Sequence, residues 1–290
     1  MANQQRDPEE AFIGKDLGSR EFVAHNQMMD NYYAGLEVDR SFYDGSGSPL
    51  GGAHTPSMTL TEVDGGFAGA GFKQNFGNLW MRQQWEVNAP IVPETRYSAR
   101  SQVLDIYEHR NRTVVLQQVE LLADDGSVMA VGRHHQSYLF GQSCGFVALR
   151  DPKAKGGARR FEMPEGDLIE SDPHTISLEM CGTFFHGNRN YHTSKEAAEE
   201  LGFQEVVVGG KMSLSYVGDL MDRHFGANWY TGSKLDIKFT NIVWPDDTIV
   251  AKAVVTDEVT EGGKKMANVA VWMEKEDGTV TVVGTASTPV

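Results

Sequence analysis

Asp277-Gly278-Thr279-Val280, followed by Val283-Gly284, repeats Asp125-Gly126-Ser127-Val128, followed by Val131-Gly132, at an offset of 277 − 125 = 152 residues. Pro245-Asp246 repeats Pro93-Glu94 at the same 152, and Met212-Ser213-Leu214-Ser215 repeats Met58-Thr59-Leu60-Thr61 at 212 − 58 = 154, a slip that one loop absorbs. Three pairs in one order at nearly one spacing mark an internal duplication. The chain reads as two tandem copies of one fold.

Each copy ends in strands. In the second, 234–240 alternates apolar and polar through Leu235, Ile237 and Phe239, Trp244-Pro245-Asp246-Asp247 turns, and 248–256 alternates again. Glu261-Gly262-Gly263 and Asp277-Gly278 are further turns, with strands over 267–272 and 279–285. The first copy follows the same order around Glu86 and over 103–107, 113–122 and 128–139. A helix precedes the strands. In the second copy it begins after Gly209-Gly210 and carries Met212, Tyr216, Val217, Leu220, Met221 and Phe225 on one face. In the first, 55–71 contains Gly65, Gly66, Gly69 and Gly71, and glycine's poor helix propensity predicts a shortened helix. The expected division is an N-terminal repeat over 1–150, a linker rich in charge, Gly and Pro over 151–173, and a C-terminal repeat over 174–290 that carries the site. Residues 1 to about 20 read as a polar arm, and 21–43 as a helix facing inward through Met28, Met29, Tyr32, Tyr33 and Leu36.

Of 290 residues, 40% are hydrophobic and 23% charged, enough apolar material for a core. A net charge of −14 excludes a nucleic-acid partner, which needs a clustered basic surface, and the short basic run 153–160 reads as a solvated loop. No signal peptide and no span of roughly 20 apolar residues is present, so a cytoplasmic protein without membrane contact is expected. Cys144 and Cys181 lie outside any Cys-x-x-Cys or Cys/His cluster, so both are expected as buried small hydrophobes, with no metal site.

The stretch able to do chemistry runs from Phe184 to Met212. Thr193-Ser194-Lys195-Glu196 fits a capping box, and Ala197, Ala198 and Leu201 ahead of Gly202 make a short helix, so His192 sits just before a helix start. Gly209-Gly210 permits close approach to a ligand, and the helix that follows offers unpaired N–H groups to a carbonyl gaining negative charge. Histidine ordinarily titrates near neutrality, so His192 is a candidate for general acid–base work; Asn188 and Asn190 can orient water or a carbonyl, and Arg189 can pair an anion. His186 and His54 are further titratable groups near the helix starts. Of His134 and His135, adjacent in a strand, at most one faces inward. Trp80, Trp85, Trp229 and Trp244 read as core or interface aromatics.

These residues resemble the MaoC-like (R)-specific enoyl-CoA hydratase family, whose signature is Ser-Gly-Asp-x-Asn-Pro-x-His, a later Gly-Phe, and an apolar run closing in His-Gly. The likeness spans Cys181 to about Thr256 and extends to the rest through the internal repeat. It implies an α+β double hot-dog, two tandem repeats each with a helix wrapped by an antiparallel sheet, the first shaping the acyl pocket. It also implies a homo-oligomer that uses no cofactor and acts on an acyl-CoA or acyl-carrier thioester. By position His192 matches the catalytic histidine and Gly210, beside Gly209, the glycine whose N–H binds the thioester carbonyl. Asn188, or Gly187 without a one-residue deletion, stands where the family has its catalytic Asp, and Gly209-Gly210 replaces His-Gly. The leading expectation is reversible hydration of a 2-enoyl-CoA, with His192 as acid/base and Asn188 holding water. A thioesterase or other lyase, or an acyl-CoA-binding subunit without catalysis, are the alternatives.

Overall fold

Strands and helices recur at the spacing of the repeat. The computed structural model describes residues 10–67, 71–149 and 161–290. The N-terminal half comprises β1 (Asp16–Val23), α1 (Asn26–Leu36), α2 (Leu60–Gly65), β2 (Leu79–Val87), β3 (Arg96–His109), β4 (Arg112–Leu122) and β5 (Val128–Tyr138). The C-terminal half comprises β6 (Leu168–Glu170), β7 (His174–Thr175), α3 (Leu178–Phe184), α4 (Lys195–Glu200), α5 (Gly210–Phe225), β8 (Ser233–Phe239), β9 (Thr248–Glu261), β10 (Lys264–Lys275) and β11 (Val280–Pro289). First residues of β9 and β3 differ by 248 − 96 = 152, and those of α3 and α1 by 178 − 26 = 152.

The strands form one antiparallel sheet in the order β1-β3-β4-β5-β2-β8-β11-β10-β9-β6, with β7 also on β9. The halves join where β2 pairs β8, from Arg82↔Lys238 to Val87↔Ser233. On one face α5 lies buried through Met212, Leu214, Tyr216, Val217, Leu220 and Met221, packed against Leu235, Ile237, Val269 and Val271. Each such side chain taken from water contributes about 1.5–3 kcal/mol, so this contact anchors the C-terminal half. The shortened first helix is present: α2 has 6 residues against 16 in α5. α1 turns Met29, Tyr32, Tyr33 and Leu36 inward, as its periodicity predicts.

Several expectations are corrected. The polar arm includes β1, which pairs with β3 at the sheet edge; residues 1–9 lie outside the described residues. The linker is not all connector, because Leu168–Glu170 pairs with β9; its residues 151–160 lie outside the described residues. The N-cap of α4 is Ser194, whose Oγ accepts from the Ala197 N–H. Cys181 is buried, but Cys144 is exposed. No helix among the described residues is long and apolar enough to cross a membrane.

Candidate active site

His192 is oriented from two sides. The turn ahead of α4 is tied by Asn190, whose Oδ1 accepts the His192 backbone N–H at 2.7 Å, and by Thr193, whose hydroxyl donates to the Asn188 carbonyl at 2.7 Å. The imidazole lies between Phe185, stacked at 4.8 Å, and Tyr191 at 3.8 Å. Its Nδ1 is 2.7 Å from the Val207 carbonyl oxygen, an acceptor only, so Nδ1 carries the hydrogen. Burial, aided by the Lys211 charge, pushes the ring down to about 4. His192 is therefore neutral at pH 7 with its lone pair on Nε2.

That ring lines a cavity of about 390 Å³ between the two halves of the chain. Gly210 opens α5 on the same wall, and first-turn N–H groups have no partner inside their own helix. A Cβ at Gly210 would stand 2.8 Å from Trp80 Cε3, and one at Gly209 would collide with the Phe185 ring. Both glycines are thus demanded by aromatic side chains that approach the backbone.

The N-terminal half contributes a polar wall to the same cavity. Asp64, near the end of α2 and 3% exposed, accepts from His134 Nδ1 at 2.6 Å and from Gln117 Nε2 at 2.8 Å. His134 Nε2 is 3.0 Å from Gln136 Oε1, and its ring stacks on Trp80 at 4.7 Å. Burial opposes charge on both partners and their pairing outweighs it, holding Asp64 below the usual carboxylate range and His134 above the usual imidazole range. Lys211, the second residue of α5, crosses to this wall and pairs with Glu62 at 3.0 Å. Its Nζ lies 2.5 Å from where a Cβ on Gly65 would be, so the glycine there makes room for the crossing.

Of the residues the sequence singles out, His192 and Gly210 face the cavity, and Gly209 lies behind it against Phe185. Asn188 is exposed outside it, Arg189 pairs with Glu200 at 3.1 Å on the surface, and Asn190 shapes the turn. Neither His186 nor His54 reaches the cavity: the first accepts from Asn31 Nδ2 at 2.7 Å, and the second is buried beside Ser48 and Tyr230. His134 is the member of its pair that lines the cavity, while His135 is buried on the other face, bonded to Tyr107. Trp80 packs against the core, as expected, and also lines the cavity. Sequence reasoning misses Asp64 and Lys211; for His134 the strand parity shared with buried Ala130 and Gly132 was the available signal.

Residues 162–278 match the family model described as MaoC like domain. No curated protein matches the chain by sequence. A MaoC domain protein of Chloroflexus aurantiacus J-10-fl superposes with a TM-score of 0.71 at 13% identity, covering 99% of this chain and 98% of that one. A MaoC-like dehydratase from Phytophthora capsici gives 0.63 at 15% identity, with 94% of each chain covered. A Mycobacterium tuberculosis protein described as a double hot-dog gives 0.64 at 8% identity, covering 100% of this chain and 99% of that one. Identities this low carry the fold alone. The chain has the double hot-dog fold, and within it residues 162–278 resemble the MaoC like domain.

Proposed function

We propose that the chain hydrates a 2-enoyl thioester reversibly in the cavity between its halves, the thiol being CoA or a carrier protein. The observation that carries this is His192: with Nδ1–H committed to the Val207 carbonyl, its basic nitrogen Nε2 is left for a water in a cavity that also holds the start of α5. The Gly210 N–H is suited to the thioester carbonyl, whose oxygen gains charge as water adds to the β-carbon. Asn188, exposed outside the cavity, has no part in holding that water. A homo-oligomer belongs to the same proposal on the strength of the family resemblance, although the cavity is walled by residues of a single chain.

Purified protein mixed with crotonyl-CoA tests the reading through loss of the enoyl-thioester absorbance and formation of 3-hydroxybutyryl-CoA. His192→Ala is expected to remain folded and to lose about 10²–10⁴-fold in kcat, the usual contribution of one positioned acid/base group. Full hydration by that variant sinks the assignment of His192, and free CoA without hydroxyacyl product points to a thioesterase.

A further inference from the structure

Hydration needs two proton transfers, one from the attacking water and one to the carbon beside the thioester. His192, neutral with a free lone pair, accounts for the first. In the family pattern the second would fall to a carboxylate, yet Asn188 takes that place and faces outward. Two phenolic hydroxyls line the cavity at Tyr138 and Tyr191, but burial pushes both up to about 12, too weakly acidic to act near neutrality, and the alcohols of Thr61 and Ser213 are weaker acids still. Lys211 is committed to Glu62.

The geometry points to a catalytic apparatus split between the halves, in which His134 of the N-terminal half, kept as an imidazolium by Asp64, is the acid that protonates the α-carbon. This rests on the hydratase reading above. Nδ1 of His134 faces the Asp64 carboxylate, which can only accept and whose charge favours the doubly protonated ring, and Nε2 faces the Gln136 amide. The Nε2 bond to Gln136 is to a neutral group that lines the same cavity, weaker than the charged bond to Asp64 and the one to be exchanged for substrate. Trp80 stacks on His134 and packs against Gly210, so the acid and the carbonyl donor flank one indole. Asp64 acts through His134 and is a positioning residue, its second oxygen fixed by Gln117.

The step balances. His192 Nε2 takes a proton from water as the water oxygen bonds to the β-carbon, and the C=C electron pair moves onto the thioester carbonyl as an enolate. The enolate collapses as the α-carbon takes the proton from His134 Nε2. His192 is left charged and His134 neutral; one proton passing between them through solvent restores both, with one water added and nothing oxidised or reduced.

His134→Gln keeps a hydrogen-bonding side chain but has no proton to give. With crotonyl-CoA as probe, its kcat is expected to fall about 10²–10⁴-fold while KM stays within about threefold. Asp64→Asn, nearly isosteric, is expected to move the alkaline limb of the kcat profile to lower pH, because a neutral amide no longer holds His134 charged. A purely structural role would reduce the folded fraction without moving that limb. Wild-type kcat in His134→Gln, or an unmoved limb in Asp64→Asn, overturns the proposal. If His134→Gln does not fold, the Asp64→Asn profile decides. Wild-type protein that leaves crotonyl-CoA unhydrated overturns the function itself, which separates the two failures.

Discussion

Gly210→Ala adds a single methyl group where the structure is least able to receive it. The new Cβ would stand 2.8 Å from Trp80 Cε3 and 3.3 Å from Phe239 Cζ, closer than side-chain carbons settle, so the indole or the helix start must shift. Overpacking of this kind costs about 1–3 kcal/mol. Alanine returns up to about 1 kcal/mol as the better helix former, leaving a net loss of roughly 0–3 kcal/mol, or up to several degrees in Tm for a chain of this size. Activity is expected to suffer more. Trp80 is stacked on His134, the proposed acid, and the N–H of residue 210 is the proposed carbonyl donor, so one shift displaces both proposed groups. A misplacement of about 1 Å typically costs 10²-fold in rate. Paired measurements of the thermal transition and of kcat/KM on crotonyl-CoA check this. A variant as stable and as active as the parent would show that Trp80 yields freely and that the glycine is not required by close approach.

Two other side chains give sharp expectations. The Lys211 charge helps to keep His192 low, so Lys211→Met should raise the His192 pKa and move the acidic limb of kcat/KM to higher pH, since the base works only when neutral; a limb that stays in place refutes the coupling. Asp222 is buried in α5, accepting from the Ser57 N–H at 2.9 Å and the Tyr43 hydroxyl at 3.0 Å, and burial raises its carboxyl from 3.8 to about 7. The folded state then holds a proton that the unfolded chain loses, so stability falls as pH rises from about 4 to about 7, by at most about 4 kcal/mol. Asp222→Asn should remove most of that slope, and melting curves of both proteins at pH 4 and pH 8 that run in parallel would refute it.

The duplication was legible because strand turns depend on local residues. Asp125-Gly126 and Asp277-Gly278 close equivalent hairpins, and β3, β4 and β5 recur at β9, β10 and β11. His192 and Gly210 were legible for the same reason, each beside a helix start with local punctuation. Asp64 was not, because its meaning is non-local: Gln117 and His134 reach it from strands 53 and 70 residues away. The glycines after it read as decay of a helix, yet Gly65 leaves the space through which Lys211 arrives from the other half. Asn188 was misplaced because a motif alignment fixes order along the chain and not direction. The turn it sits in begins with His186 at φ 57° and Gly187 at φ 72°, which carries the Asn188 side chain to the surface.

The repeat also accounts for a proposed site on one side only. A symmetric duplication would place an equivalent site where α2 begins beside β8 and β11, and the residues there can be read from the offsets. Asp64 corresponds to 64 + 154, Gly218, where a Cβ would collide with Met58. His134 corresponds to 134 + 152, Ala286, which is buried, and Gly210 corresponds to 210 − 154, Pro56, which has no N–H to offer. His192 corresponds to 192 − 152, Arg40, held on the surface by Asp30 at 2.6 Å and Asp44 at 2.7 Å. Both helices therefore use glycine for close approach, with opposite results. Gly65 admits a lysine to a polar wall, whereas Gly218 admits Met58 to a core. The second place has been given over to packing, with Met58 seated against the middle of α5 at Gly218, while the start of the same helix, at Gly210 and Lys211, lines the cavity with Asp64 and His134.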